Sequence, residues 1–179
     1  MKRPVSINYL IATFSILFLL ISSFAMISFF ELGGAIDTIM RENMKSVIAG
    51  EEMIDSINKI HTMALQCHNI EGMGKNLVQF EDEKTKFTQA LDRARSNITI
   101  NDESDTIRQI TEHYKTYIGS ISRLQAARDP VLFTDIINTS LEPHYQSLHE
   151  NLKKLLFINH QAMKNADEKA RDLARSRSI

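Results

Sequence analysis

Residues 9–30 read YLIATFSILFLLISSFAMISFF, and no charged residue lies between Pro4 and Phe30. As a helix, this apolar run would be about 33 Å long, which is enough to cross a bilayer core of about 30 Å. A lipid-exposed segment must satisfy its backbone polar groups internally, so a helix is the structure that fits. The run therefore predicts an N-terminal transmembrane helix, preceded by a short tail at residues 1–8.

The charges that flank the apolar run predict its orientation. Lys2 and Arg3 precede it without an acidic neighbour, and cytoplasmic loops carry an excess of such cations. We therefore expect a cytoplasmic tail and a single pass through the inner (cell) membrane, with residues 31–179 periplasmic or extracellular. A cleaved signal peptide is the alternative, because residues 23–25 (Ser-Phe-Ala) loosely fit a cleavage site, although signal-peptide cores usually span about 7 to 15 residues.

The composition limits the classes of function. The chain has 179 residues and a net charge of -1, which gives no argument for a nucleic-acid partner. Cys67 is the only cysteine, so an internal disulfide is excluded and packing must hold the domain together. The sequence shows no metal-plus-base, triad or phosphate-loop pattern, so we predict neither catalysis nor a cofactor.

Apolar residues recur at alternating steps of three and four along four segments, and β-branched alternation is rare. This seven-residue repeat is typical of helices that pack at shallow angles. We predict an all-α fold: the transmembrane helix is followed by an up-down-up-down four-helix bundle with long first and last helices. The four segments are Ile36–Ala64, Leu77–Ala94, Ile107–Leu124 and Leu141–Leu173.

Glycines and prolines predict the ends of these helices. Gly72 and Gly74 predict the end of the first helix, and Pro130 stops the third because the residue before a proline disfavours the α region. Pro143 is tolerated in a first turn, so the last helix is expected to start near Ser140. The connecting segments are predicted at 97–103 and, as a short turn or helix, at 131–139.

The predicted helix lengths imply a partner chain. The two middle helices, about 23 and 25 residues long, fall about 20 Å short of the outer two. The membrane-proximal half would then hold only the first and last helices, whose apolar stripes need cover. We therefore expect a homodimer, either simple or domain-swapped. Because the last helix returns towards the membrane, we also expect a second transmembrane helix just past residue 179.

Four segments, in order and with matching gaps, resemble the periplasmic sensor region of KinB-like sensor histidine kinases. ENMKSVIAGEEM (42–53) is similar to their Glu-Asn-Tyr-x-Ser segment, with Met44 in place of the tyrosine. ARSNITINDE (94–103) is similar to their Ala-x-x-Asn-Ile-Thr turn, and PHYQSL (143–148) and INHQAMKNADEKA (158–170) resemble their last helix. The resemblance implies a sensor domain between two membrane helices, followed by a HAMP linker and a cytoplasmic kinase that these residues do not include.

The expected function is therefore the input domain of a two-component sensor histidine kinase, with a small-molecule ligand among its expected partners. The signal would pass as a displacement of the last helix against the first by about 1–2 Å. Two alternatives stay open: the ligand-binding domain of a methyl-accepting chemoreceptor, and a membrane-tethered structural helical bundle that senses nothing.

Polar and small residues on the first and last helices are the signalling candidates. Asn43 and Asn159 fall on seam positions, where a polar residue costs stability but fixes register and oligomeric state. Ser46 belongs to the segment that resembles the kinase sensors, and Ala166 belongs to a row of small residues that allows close helix approach. The alternative for the two asparagines is a water-bonded side chain at a frayed seam.

Three arginines of the third helix are the ligand candidates: Arg108, Arg123 and Arg128. Arginines between helices can bind a carboxylate or a phosphate through two parallel hydrogen bonds. Arg123 is preferred because it adjoins the seam residue Leu124. The alternative is that a cation near a helix C-terminus is favourable without any ligand.

Histidines near the end of the first helix raise the question of a metal. His61 and His68 lie on one helical face, and Cys67 is nearby; imidazole and thiolate ligands suit zinc or copper. However, Cys67 faces elsewhere, and His144 and His149 diverge by about 140° around the last helix. We therefore predict no metal site, with solvated or capping histidines instead.

Overall fold

The computed structural model describes residues 7–66, 70–99, 101–127 and 129–176. Apart from short connections such as residues 97–99, these ranges are helical and contain no strand, so the predicted all-α class is confirmed. In chain order the elements are α1 (Ile7–Gln66), α2 (Ile70–Ser96), α3 (Asn101–Ala126), α4 (Pro130–Ile136), a π-helical segment (Ile137–Leu141) and α5 (Glu142–Ser176).

The first helix, α1, is 60 residues long and joins the apolar run to the core without a break. Within the described residues, α1 is the helix with a window long and apolar enough to cross a membrane, with a mean hydropathy of 2.4 and no buried residue. Farther along the same helix, a stripe of side chains such as Met53, Ile57 and Ile60 is completely buried. A movement at either end of α1 can therefore pass along one continuous backbone.

The predicted end of the first helix was wrong. Gly72 and Gly74 lie inside α2, and α1 already ends at Gln66. Glycine weakens a helix by about 1 kcal/mol relative to alanine, but it keeps its backbone N–H group and does not break the ladder as proline does. The glycine pair therefore lowers the local helix propensity without ending the helix.

The segment before the last helix, for which the sequence predicts either a short turn or a helix, is helical. Asp129 caps α4 by accepting a hydrogen bond from the backbone N–H of Val131 at 3.0 Å, with Pro130 in the first turn. The backbone then continues through the π-helical segment into α5. Pro143 directly follows the π-helical segment inside this continuous helical backbone, where its missing N–H group removes one bond from the ladder.

The helices pack in antiparallel pairs. α1 packs against α2 and α5, and α3 packs against α5, whereas α2 and α3 touch each other less. In each pair of helices, residue numbers rise along one helix as they fall along the other. For α1 and α2 the contacts are Lys59 with Glu83 and Glu52 with Arg93, and for α1 and α5 they are Asn58 with Tyr145 and Gly50 with Leu156. For α3 and the chain that leads into α5 they are His113 with His144 and Ser120 with Ser140.

Side chains from all four long helices build one hydrophobic core. Its largest fully buried members fill the space between the helices and reach from the middle of α1 to the start of α5. They are Met53, Ile57, Ile60, Phe87, Ile110, Tyr117, Ile121, Leu124, Leu141, Leu148, Leu152 and Leu155. Large aliphatic and aromatic side chains at this depth each contribute about 1.5–3 kcal/mol when removed from water.

Gly50 is a point of close approach between α1 and α5. A Cβ atom at this position would lie 2.7 Å from Cδ2 of Leu156, so any larger residue would displace that side chain. The glycine thus lets the two helices lie close together in the part of the core nearest the apolar run of α1.

Candidate functional site

A set of neutral polar side chains joins α1 to the turn between α2 and α3. We call Asn43, Ser46, Asn97 and Thr99 the turn clamp. The Asn97 amide donates to the backbone carbonyl of Glu42 at 2.5 Å and to Oγ of Ser46 at 2.9 Å. The Thr99 hydroxyl donates to Oδ1 of Asn43 at 3.2 Å. These bonds fix the position of the turn along α1.

The α1 side of the turn clamp is buried, whereas Asn97 is half-buried and Thr99 is exposed. Asn43 and Ser46 are fully buried, and the Asn43 amide donates to the backbone carbonyl of Ile39 at 2.6 Å. Glu103 supports the turn from α3 by accepting from the backbone N–H of Thr99 at 2.8 Å. Each such bond contributes about 1 kcal/mol, and a buried group that loses its partner costs about 1–3 kcal/mol. The clamp therefore resists sliding of the turn along α1.

The other two signalling candidates lie on α5. Asn159 is fully buried, and its amide donates to the backbone carbonyl of Leu155 at 3.0 Å, while its Oδ1 has no hydrogen-bond partner among the described residues. Ala166 is 7% exposed and lies two turns farther along. α5 therefore keeps a buried face, with one unsatisfied acceptor, along the stretch that runs back towards the apolar segment of α1.

A second polar cluster lies at the opposite end of the core. We call His61, Asn58, Tyr117, Glu142 and Tyr145 the distal cluster. His61 Nδ1 lies 3.0 Å from the Tyr117 hydroxyl, and His61 Nε2 lies 3.3 Å from Oε2 of Glu142. The Tyr145 ring stacks on the imidazole with centroids 3.8 Å apart, and its hydroxyl donates to Oδ1 of Asn58 at 2.8 Å. The imidazole thus contacts groups from α3 and α5.

Burial changes the protonation of the distal cluster. Burial lowers the pKa of His61 below its ordinary value of 6.5, and the Glu142 carboxylate only partly opposes this shift. Burial also raises the pKa of Tyr117 and of Tyr145, so both phenols stay neutral at physiological pH. His61 is therefore the member whose change of charge alters the state of the cluster.

The π-helical segment ends directly at the distal cluster. Glu142 follows Leu141, and its backbone N–H bonds to the carbonyl of Ile137. Ser140 in the same segment lies 2.7 Å from the Ser120 hydroxyl of α3, oxygen to oxygen. π-Helical turns are rare and occur frequently at functional sites. The irregular backbone places Glu142 and Tyr145 against His61.

The arginine candidates are not brought together by the structure. Arg108 is exposed and pairs with Asp105 and Glu112 of its own helix, at 3.4 and 3.2 Å. Arg123 lies exposed in the last turn of α3, next to the buried Leu124. Arg128 lies outside the described residues. Of the two described arginines, Arg123 is the one in the last turn of α3, and no described residue from another helix pairs with Arg108.

Among the described residues, the histidines form no metal-binding group. The described part of the chain contains no group of three or more His, Cys, Asp or Glu side chains that could hold a metal ion. Cys67 and His68 lie outside the described residues. His61, the other member of that hypothesis, instead binds Tyr117 and Glu142.

The sequence points to some residues of the turn clamp and of the distal cluster, but not to the side chains that they bind. Asn43, Ser46 and His61 were singled out, but Asn97, Thr99 and Glu142 were not assigned to a site. The available signal was the Asn-Ile-Thr turn itself, because amide and hydroxyl side chains in a tight turn reach for nearby backbone groups. For the distal cluster, the signal was a histidine and two tyrosines on the seams of three helices.

No family model, curated protein or solved structure matches this chain. The likeness to the sensor region of KinB-like kinases therefore rests on the four short segments alone, and no family is assigned. What the protein does has to be inferred from its own residues and their contacts.

Proposed function

We propose that this chain is a membrane-anchored, extracytoplasmic sensor domain. In this proposal the apolar run crosses the inner membrane, residues 31–179 form a four-helix bundle outside the cytoplasm, and the domain is the input part of a two-component sensor histidine kinase. The domain itself performs no chemistry. It converts a stimulus at the bundle into a movement of α5 relative to α1.

One observation carries the proposal: α1 continues without a break from the apolar run into the core. The turn clamp lies at Asn43 and Ser46, so the part of α1 before the clamp extends beyond α2 and α3. α5 is antiparallel to α1 and still has a buried residue at Ala166. These contacts support a design in which only α1 and α5 connect the core to the membrane.

The packing also indicates which helix would move. The turn clamp ties the α2–α3 turn to α1, and α2 packs extensively on α1. α5 meets α1 through the close contact at Gly50 and carries an unsatisfied acceptor at Asn159. A small shift of α5 could supply the missing donor without breaking the clamp. Helix shifts of about 1–2 Å are an established way of passing signals between domains.

A second copy of the chain would cover an exposed apolar stripe on α1. Met40, Met44 and Ile48 are spaced by four residues and are 39%, 50% and 45% exposed. Residues at this spacing lie on one face of a helix. A homodimer in the membrane would bury this stripe next to the α1–α5 pair, where the helix lengths predict that cover is needed.

The proposal is tested by joining the chain to the signalling half of a well-behaved sensor kinase and measuring reporter output in cells. The Ala166→Asp variant places a charge in the buried α1–α5 contact, and the exposed Asn165→Asp variant is the matched control. We expect output that changes with at least one stimulus, is lost or locked in Ala166→Asp and is kept in the control. Output that is constant under every condition would instead favour a structural tether.

A further inference from the structure

The distal cluster contains a histidine whose two ring nitrogens face different kinds of partner. A carboxylate can only accept a hydrogen bond, so the neutral imidazole donates from Nε2 to Glu142 at 3.3 Å. Its Nδ1 then accepts from the Tyr117 hydroxyl at 3.0 Å. In this state every polar atom of the pair is satisfied, although Tyr117 is completely buried.

Protonation of His61 would reverse one of these bonds. The imidazolium carries hydrogen on both nitrogens, so Nδ1 would donate to the Tyr117 oxygen instead of accepting from it, and the hydroxyl hydrogen of Tyr117 would need another acceptor. The buried hydroxyl would lose its acceptor, while the bond to Glu142 would become an ion pair. An unpaired buried donor is unfavourable and a charged hydrogen bond is favourable, so the added proton pulls His61 away from α3 and towards the first turn of α5.

The surroundings of His61 contain one opposing charge and several neutral groups. The titratable groups that contact the ring are Tyr117 on α3, and Glu142 and Tyr145 on α5. α2 also packs along α1, and its Glu83 lies 3.8 Å from Lys59, two residues before His61. Farther out lie His149 beside Tyr145, with its pKa lowered by burial and by Lys153, and the ring pair of His113 and His144.

The linkage has a definite sign. Because burial holds the pKa of His61 below 6.5 in this conformation, the unfolded or opened chain binds the proton first. His61 therefore stabilises the observed packing above about pH 6.5, and this contribution is lost as the pH falls through the folded pKa. Acidification favours any arrangement in which His61 leaves the Tyr117 side of the cluster.

We infer that the distal cluster is a proton-operated latch: at neutral pH His61 of α1 binds Tyr117 of α3, and on acidification it leaves Tyr117 and pairs with Glu142, which shifts the start of α5 relative to α1 and α3. The π-helical segment before Glu142 gives this part of the backbone an irregular hydrogen-bond ladder, where a small change of register is least costly. The latch rests on the proposed sensor function and adds the stimulus to it: an increase in proton concentration outside the membrane.

The test follows the His61 ring by NMR in the full chain, in lipid nanodiscs, from about pH 8 to pH 5. His61→Gln, which keeps a hydrogen-bonding side chain but cannot titrate, assigns the signal. We expect a midpoint below 6.5 and core signals of α5 that move with the same midpoint. Glu142→Gln removes the favourable charge, so its midpoint should be more acidic still. A midpoint at or above 6.5, or α5 signals that ignore it, would overturn the latch.

The reporter fusion separates this inference from the proposed function. The wild-type fusion should change output on acidification, His61→Gln should abolish that change, and the exposed His160→Gln control should keep it. A His61→Gln fusion that still responds to acid would overturn the latch. A fusion that ignores pH but responds to another stimulus would also overturn the latch and leave the sensor proposal standing, whereas a fusion that responds to nothing would defeat both.

Discussion

The turn clamp and the distal cluster both join α1 to other parts of the chain through buried and half-buried polar side chains, but their chemistry differs. The clamp bridges α1 and the α2–α3 turn with amides and hydroxyls, from Asn43 and Ser46 to Asn97 and Thr99. The distal cluster joins α1 to α3 and α5 around His61. Amides and hydroxyls do not change charge at physiological pH, whereas an imidazole does.

This difference gives the two ends of the core different mechanical roles. The four side chains of the clamp have no charge that changes with pH in the physiological range, so the clamp can act as a fixed point. The distal cluster has two protonation states with different preferred partners, so it can act as the variable point. A bundle that is fixed at one end and variable at the other can turn a local change into a displacement of a whole helix.

Removing Asn97 should have the largest effect. Asn97→Ala deletes the bonds to the Glu42 carbonyl and to Ser46, and it leaves the buried Ser46 without that donor. We expect a loss of about 2–3 kcal/mol in the free energy of unfolding, measured by denaturant titration of the chain in detergent. The loss should be the same near pH 7.5 and near pH 5.5. The exposed Asn165→Ala is the control, and a loss that changes with pH would contradict the assigned role of the clamp.

Removing the Tyr117 hydroxyl should have a smaller effect that depends on pH. Tyr117→Phe keeps the buried ring but deletes the donor to His61 Nδ1. Near pH 7.5 we expect a loss of about 1 kcal/mol in the free energy of unfolding. Because the deleted bond favours neutral His61, the pKa of His61 should rise, and the loss should shrink on acidification. An NMR titration of His61 checks this; an unchanged midpoint would show that the hydroxyl does not set the protonation of the ring.

The ion pair between Glu52 and Arg93 should have the smallest effect. It also links α1 to α2, but its side chains are about half exposed. Exposed pairs contribute about 0.2–1 kcal/mol at most. A double-mutant cycle with Glu52→Ala and Arg93→Ala should give a coupling energy near the lower end of this range. A coupling as large as the loss in Asn97→Ala would show that burial is not what makes the clamp strong.

The sequence predicts helices and seams better than it predicts contacts between them. The repeat of three and four residues identifies Asn43 and Asn159 as seam positions, and both are fully buried. The hydrogen bond of Asn97 to Ser46 joins residues 51 apart in the chain. Which turn meets which helix depends on the relative lengths and shifts of the helices, and no local pattern encodes those.

Local rules also fail where a residue of low helix propensity keeps the backbone N–H group that a helix needs. Gly72 and Gly74 were expected to end a helix, yet they lie inside α2. The π-helical segment before Glu142 was not foreseen, because no composition rule distinguishes one extra residue in a helix from a short turn. The partners of His61 on α5, which the sequence does not reveal, thus follow directly after the irregular backbone of the π-helical segment.

The most direct test of the account compares two distances in the full chain with Cys67→Ser, reconstituted in lipid. Spin labels at Thr38 and Lys169 report the α1–α5 pair near the membrane, and labels at Arg41 and Ile98 report the turn clamp; all four positions are exposed. Pulsed electron paramagnetic resonance should show the α1–α5 distance change by about 1–2 Å between neutral and acidic pH, while the clamp distance stays constant. Two constant distances, or two that change together, would contradict the account.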